Sequence, residues 1–440
     1  MIPAQTLYNL LLTLLALPAL PVAGLALLLR PRYRLGLAQR LGFLPQEVLN
    51  CDKEQQPLWL HAPSVGEILA TRPFLRALKL AFPRTPLVLS ALTPTAYATA
   101  REKIPEADAV IYLPLDHPFF IQRVLRAIRP AAFFFTETEL WPNLLLTLAH
   151  RRVPTFLVSG RFSAHAHARY RWLRPLFQPV FLGITRCCMQ TTADAERLKA
   201  AGAPRRHVVV TGNFKVDNAS AGGPQGLAVL QEAGFAGRPL LVGASTHPTE
   251  EAFLLRVFRR LRAHIPNLLL LLAPRHPQRF ADVELLLQQN GHRYVKRSQL
   301  EYAKDSNAAV FLLDTLGELA SFYRAAVITF VGGSLIKGPG GHSVVEPALA
   351  ETPVCFGPYM GNFVTLVEQL MQAGGGFMVR TEEDAYRQLL ALFSNLPEAR
   401  EAGRRAHQVI AQGQGAVQRT MTVVLEALQQ SGTNLRHADS

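Results

Sequence analysis

Three glutamates and a lysine stand where an alternation of strands and helices would gather its chemistry. The segment Trp59-Leu-His-Ala-Pro-Ser-Val-Gly-Glu67 reads as a strand, a turn and the start of a helix. A glutamate so placed has two uses. With Ser64 as N-cap it completes a capping box of the S-x-x-E type. Projecting into a cleft, it can instead take a proton from a hydroxyl held within hydrogen-bonding reach. Spacing alone favours the cap. Glu137 and Glu139 follow an apolar strand ending in Phe133-Phe134-Phe135. Carboxylates at a strand end are costly unless paired or solvated in a site. If the segment stays extended, alternation puts both on one face. Lys215, in Gly212-Asn-Phe-Lys-Val-Asp217, can reach a phosphate or a carboxylate.

A second set of residues suits anions. Gly243-Ala-Ser-Thr-His-Pro-Thr-Glu-Glu251 is a strand, a turn and a helix N-terminus, where free N–H groups attract negative charge. Pro274-Arg275-His276-Pro277 follows an apolar strand, and Arg275 carries a guanidinium shaped for phosphate. Asp314-Thr-Leu316-Gly317-Glu318-Leu opens a helix after another strand. The richest stretch is Phe330-Val-Gly-Gly-Ser-Leu-Ile-Lys-Gly-Pro-Gly-Gly341-His342-Ser343-Val344-Val345-Glu346-Pro347. Its glycines form a loop running into a helix from about Ser343, an arrangement that cradles a phosphate. Glu346, in the first turn, can accept hydrogen bonds from ribose hydroxyls. The loop has neither the GxxxxGK[ST] nor the GxGxxG spacing, so it is not a P-loop and does not mark ordinary NAD binding. His165 and His167 have i, i+2 spacing without nearby carboxylates or cysteines, a weak zinc pattern. His61, His276 and His342 read as hydrogen-bonding or phosphate contacts. No acidic metal clamp accompanies the pocket, so neither a metal nor a cofactor is expected.

The elements that must position these residues follow an α/β rhythm. Strands are expected at 58–62, 87–91, 110–113, 131–135 and 155–159, with helices at 64–80, 93–103 and 119–128. Such alternation implies right-handed βαβ units and a parallel sheet. Residues 218–226, NASAGGPQG, read as a linker. A second series follows, with strands at 240–243, 268–273, 309–313, 327–331 and 353–356, helices at 249–263, 280–289, 315–324 and 344–350, and a helical tail over 382–430. The 440 residues suffice for two cores. The expected fold is therefore two Rossmann-like α/β domains facing a cleft, with ligands at strand C-terminal ends.

The N-terminus adds a further element. Residues 8–29 form an uncharged apolar run long enough to cross a hydrocarbon core, and Arg30, Arg32, Arg34 and Arg40 follow it. Charge after the run, rather than before it, points to an uncleaved anchor with the bulk of the chain on the cytoplasmic side. A helix lying on the bilayer or buried in a core is the alternative, given Pro18 and Pro21. The expected division is an anchor over 1–31, a first domain over 32–217 and a second over 218–440, including the helical tail. Cys51, Cys187, Cys188 and Cys355 lack metal-ligand spacing and imply a reducing compartment without structural disulfides. The formal net charge of +14 suits a nucleic acid, an anionic membrane or a phosphorylated substrate.

The ordered motifs SVGE, TETELWPN, GNFKVD, STHPTEE, PRHPQRF, DTLGEL and FVGGSLIKGPGGHSVVEP, behind one N-terminal anchor, resemble the 3-deoxy-D-manno-octulosonic acid (Kdo) transferase family. The resemblance runs from the anchor to about residue 363. It implies a GT-B glycosyltransferase fold and an inverting transfer of Kdo from CMP-Kdo to a lipid A precursor at the inner membrane. By the same resemblance, Glu67 is the proton acceptor, and Glu137 and Lys215 stabilise the transition state. CMP contacts fall on Pro274, Arg275, Leu316, Gly317, Glu318 and the segment from Ser343 to Glu346. Ser64, Gly66, His276, Gly341, His342 and Asn362 border these positions and complete the expected substrate-binding set. Ser343 stands where the family usually has asparagine. The resemblance makes membrane lipids the macroscopic partner. A UDP-sugar enzyme of the same fold is the nearest alternative. A non-catalytic, membrane-tethered binder of anionic lipid or nucleic acid would suit the charge, but would not need Glu67, Glu137 and the glycine loop together. Nucleic acid is thus not an expected partner.

Overall fold

The computed structural model describes residues 5–14, 35–49, 56–163, 170, 172–217, 219, 222–301 and 305–432. The chain divides into two compact units, Met1–Asn218 with Gln414–Ser440, and Ala219–Gly413. Each is built on a seven-stranded sheet.

In the first unit the strands are β1 (Leu58–His61), β2 (Leu87–Ala91), β3 (Ala109–Tyr112), β4 (Ala132–Thr136), β5 (Thr155–Gly160), β6 (Arg186–Met189) and β7 (Val208–Val210). Their order is β3-β2-β1-β4-β5-β6-β7, and every pairing is parallel. β1, β2 and β4 are buried at every position. This explains why they read as continuous apolar runs rather than alternating ones. The order reverses between β1 and β4, which makes their C-terminal ends the switch point where open α/β sheets bind ligands.

The second unit holds β8 (Leu240–Thr246), β9 (Leu269–Pro274), β10 (Tyr294–Lys296), β11 (Val310–Leu312), β12 (Ile328–Val331), β13 (Val354–Phe356) and β14 (Gly376–Met378), in the order β10-β11-β9-β8-β12-β13-β14. All pairings are again parallel. Its switch point lies between β8 and β12.

Several expectations need correction. The tail over 382–430 is three helices, Glu382–Ser394, Leu396–Gly413 and Ala416–Gln430. The last of these belongs to the first unit, so the second domain ends near 413 rather than 440. Its apolar face, with Ala416, Val417, Met421, Val424 and Leu428, enters the core beneath the helix Val65–Ala81. The Asp217 carboxylate accepts hydrogen bonds from the Gly415 and Val417 amides at 2.8 and 2.7 Å and so caps it. The helix expected over 315–324 is a 3₁₀ helix, Leu319–Ala325, and the one over 344–350 is only Val345–Leu349.

The apolar run over 8–29 falls largely outside the described residues. Residues 5–14 are helical. Among the described residues no helix is long and apolar enough to cross a membrane.

Candidate active site

In the first unit, Glu67, Glu137 and Lys215 converge although far apart in sequence. The Lys215 ammonium lies 3.7 Å from Glu67 Oε1 and 3.8 Å from Glu137 Oε1. The three side chains remain 17%, 21% and 20% exposed for Glu67, Glu137 and Lys215, enough to be reached from solvent. Two carboxylates follow the two strands of the switch point: Glu67 opens the helix after β1, and Glu137 directly follows β4.

Local backbone geometry explains the convergence. Ser64 sits at the N-cap of Val65–Ala81 in extended conformation, but its side chain makes no capping hydrogen bond. The capping box favoured by spacing is therefore not formed, and Glu67 points to Lys215 instead. Gly66 lies in the same first turn. Glu137 has φ 58°, in the left-handed region that is costly for a residue with a Cβ. This turn breaks the extended run, so Glu137 and Glu139 do not share a strand face. Glu139 instead accepts a hydrogen bond from the Trp141 indole at 3.0 Å.

Lys215 is held from its backbone. Its amide donates to Asn213 Oδ1 at 2.9 Å, Asn213 Nδ2 donates to Gln190 Oε1 at 3.1 Å, and Gln190 Nε2 donates to the Ser159 carbonyl at 2.9 Å. Gln190 lies outside every motif singled out above, and single-residue patterning gives no signal for it. His61, at the end of β1, is fully buried; its Nδ1 lies 3.0 Å from Ser90 Oγ. Burial pushes its imidazole down to about 4. Of the two expected roles, hydrogen bonding or phosphate contact, His61 fills the first, as a neutral core histidine.

The Glu137 carboxyl is raised above the ordinary carboxylate value, first by burial; Lys215 opposes this and Glu67 adds to it. A folded state that binds a proton more tightly than the unfolded chain loses stability as pH rises from the unfolded value through the folded one. Glu137→Gln removes that loss. We expect it to melt higher than the parent at pH 7, with the advantage vanishing below the ordinary carboxylate range while activity falls. Thermal unfolding at pH 3.5 and pH 7 checks this; an equal shift at both would show that ionisation is not the cause.

The second unit gathers a different chemistry at its own switch point. His247 follows β8, Arg275 and His276 follow Pro274 at the end of β9, and the glycine loop follows β12. His247 Nε2 lies 2.8 Å from His342 Nε2, with the rings 12° from parallel. The His276 ring stands edge-on to His247 at 5.4 Å. Arg275 is exposed, and its amide donates to the Thr246 carbonyl at 3.0 Å.

The first half of the glycine loop is not an open cradle. Glu250, fully buried at the start of the helix Glu250–Arg262, accepts hydrogen bonds from the amides of His247 (2.9 Å), Gly333 (2.7 Å), Ser334 (3.0 Å) and Leu335 (2.9 Å). The nest expected to take a phosphate is filled by the protein's own carboxylate. Gly332 is required here, because a Cβ would collide with the Ser245 carbonyl and the Glu250 carboxylate. STHPTEE reads as a helix start, with no local sign that its first glutamate serves this loop.

The remaining expected residues are spread around this end of the sheet. Gly341, with φ 76°, donates its amide to the Gly333 carbonyl at 2.9 Å. Asn362 Nδ2 donates to the carbonyls of Pro339 and Gly341 at 2.9 and 3.2 Å, tying the loop's second half. Ser343 Oγ accepts a hydrogen bond from the Val345 amide at 3.3 Å, although the N-cap position of the helix Val345–Leu349 is Val344. Val344 and Val345 are buried. Glu346 is half-buried. Leu316 is 70% exposed and Gly317 has φ 87°, whereas the Glu318 carboxylate is already held by Arg297 at 2.8 and 3.0 Å.

Comparison with known proteins adds the following. The family described as 3-Deoxy-D-manno-octulosonic-acid transferase (kdotransferase) matches residues 36–218. The chain is 34% identical over 412 residues to the 3-deoxy-D-manno-octulosonic acid transferase of Haemophilus influenzae, covering 93% of this chain and 95% of that protein. It is 35% identical over 381 residues to that of Bordetella pertussis, covering 83% and 86%. Among solved structures, a UDP-GlcNAc 2-epimerase from Neisseria meningitidis superposes with TM-score 0.54 at 13% identity, covering 85% of this chain and 100% of that one. This last likeness bears on fold alone, and agrees with two Rossmann-like α/β units of the GT-B kind.

Proposed function

Because the chain belongs to the 3-deoxy-D-manno-octulosonic acid transferase family, we propose that it transfers Kdo from CMP-Kdo to a hydroxyl of a lipid A precursor, in lipopolysaccharide core assembly. The observation that carries the mechanism is the Glu67–Lys215–Glu137 triad at the β1/β4 switch point. Glu67 is the base: its carboxylate removes the proton from the acceptor hydroxyl, whose oxygen attacks the anomeric carbon of Kdo from the face opposite CMP. The bond to the CMP phosphate breaks as the new glycosidic bond forms, with inversion. Lys215 lies beside both carboxylates and supplies positive charge where negative charge moves. In the second unit, the exposed Arg275 guanidinium after β9 is a donor suited to the phosphate of the nucleotide.

The test is direct. The protein is incubated with CMP-Kdo and a tetraacylated lipid A precursor, and product mass is read. Gain of one or more Kdo masses is expected; no gain with an intact donor would overturn the reading. The nucleotide is tested separately. CMP is expected to raise the melting temperature and UDP to leave it unchanged, whereas the reverse order would favour a UDP-sugar enzyme of the same fold.

The reading includes a place at the cytoplasmic face of the inner membrane. Support comes from the helix over residues 5–14, which leaves Leu7, Leu10, Leu11 and Leu14 about half exposed. Its polar side is tied down: Tyr8 Oη donates to Asp116 Oδ2 at 3.1 Å, and Asn143 Nδ2 to Asn9 Oδ1 at 2.7 Å. A row of leucines held outward, together with a net charge of +14, suits an anionic bilayer. Flotation with vesicles containing anionic lipid is expected to recover the chain; Leu10→Asp with Leu14→Asp is expected to release it.

A further inference from the structure

His247 is the residue in the second unit whose geometry exceeds the role of a helix-flanking turn. A Nε2 to Nε2 separation of 2.8 Å requires one proton between the two rings. A neutral imidazole carries one N–H, so the two tautomers are locked in opposite senses. The ring that donates has a bare Nδ1; the ring that accepts carries its proton on Nδ1. One additional proton can enter at the bare Nδ1 without breaking the shared bond. A second proton would place two N–H groups against each other and break it.

The charges around the pair are mixed. Glu250 and Glu251 act on His247 from the start of the helix that follows it, opposed by Arg279 and His276; Arg275, His247 and His276 act on His342. Burial is the largest influence on both rings and holds each below its ordinary value, His342 down to about 4. The empty pair is therefore uncharged at neutral pH. A phosphate monoester brings between one and two negative charges and reverses the local field.

We propose that His247 and His342 form a two-imidazole proton store that takes up one proton when the phosphate monoester of the nucleotide binds at this end of the second sheet. His247 is a positioning residue: it fixes the tautomer of His342 and shares its charge. This rests on the reading of the second unit as the CMP site. The stored proton neutralises part of the phosphate charge that accumulates as CMP departs, and returns to solvent when CMP leaves.

Calorimetric titration with CMP at pH 7.5, in buffers of differing ionisation enthalpy, counts the protons. At this pH the phosphate is already dianionic, so uptake reports the protein. We expect the wild-type chain to take up roughly half a proton or more per CMP bound. His247→Leu, or His247→Gln if the leucine variant melts early, is expected to lose most of that uptake. His264→Gln, at an exposed histidine outside the pair and outside the expected substrate-binding set, is expected to keep it. CMP binding without net uptake in the wild type, or full uptake in the His247 variants, overturns the proton store and leaves the CMP site standing. Absence of any CMP binding to the wild type overturns the nucleotide reading, and this inference with it.

Discussion

Glu67→Gln is expected to lower Kdo transfer by about 100- to 10,000-fold, the range for loss of a positioned general base, while CMP still protects the protein against heat. The substitution keeps the size of the side chain and removes only its basicity. It does not leave Lys215 alone, because Glu137 remains 3.8 Å away. The first unit should therefore stay folded, and a lost rate can be assigned to proton transfer. Product mass at fixed times gives the rate; far-ultraviolet circular dichroism confirms the fold. A folded Glu67→Gln protein with full transfer would sink the assignment, and the acceptor proton would then have to leave by way of Glu137 or water.

Glu250→Gln is expected to cost about 3–5 kcal/mol, the loss that follows when one member of a fully buried charged network is removed. The carboxylate receives four backbone N–H groups and is itself without exposure. An amide of the same shape turns one acceptor oxygen into a donor facing other donors, so buried N–H groups are left unsatisfied. For a unit of this size the melting temperature should drop by roughly 10 °C. CMP affinity should fall as well, because the same carboxylate holds the amide of His247. Differential scanning calorimetry decides it: a shift under about 1 kcal/mol would mean that the loop amides find other acceptors.

Much of this architecture is legible in the sequence. The buried strands announce themselves as apolar runs closed by Pro, Gly or polar residues, and the motif residues fall at their C-terminal ends. Glu67, Glu137 and Lys215 stand out as candidates by their place after strands, but their roles follow only from the family resemblance of the ordered motifs. Other features are hidden for physical reasons. Ser64 and Glu67 have capping-box spacing, yet the glutamate finds a lysine 148 positions away, and local spacing cannot report a distant partner. Glu250 reads as an ordinary acidic residue in a first helical turn; nothing local shows that its carboxylate serves a loop more than eighty residues later. The turn at Glu137 uses a left-handed conformation that residue type does not advertise. β7, β10 and β14 span three residues each, too short for a period to emerge. The final helix has a clear apolar face, but amphipathicity does not say which core receives it.

That helix ties the first unit to the order of synthesis. Residues 219–413 must be made between the body of the first unit and Ala416–Gln430. At about 5–20 residues per second the interval is roughly 10–40 s. Throughout it the nascent chain carries an uncovered apolar groove along the helix Val65–Ala81, and Asp217 waits without the amides it will cap. The cell must shelter that surface while the second unit folds. A fragment ending near residue 218 would never close it, so its insolubility on expression would reflect a missing last piece rather than a fault in the unit's own sheet.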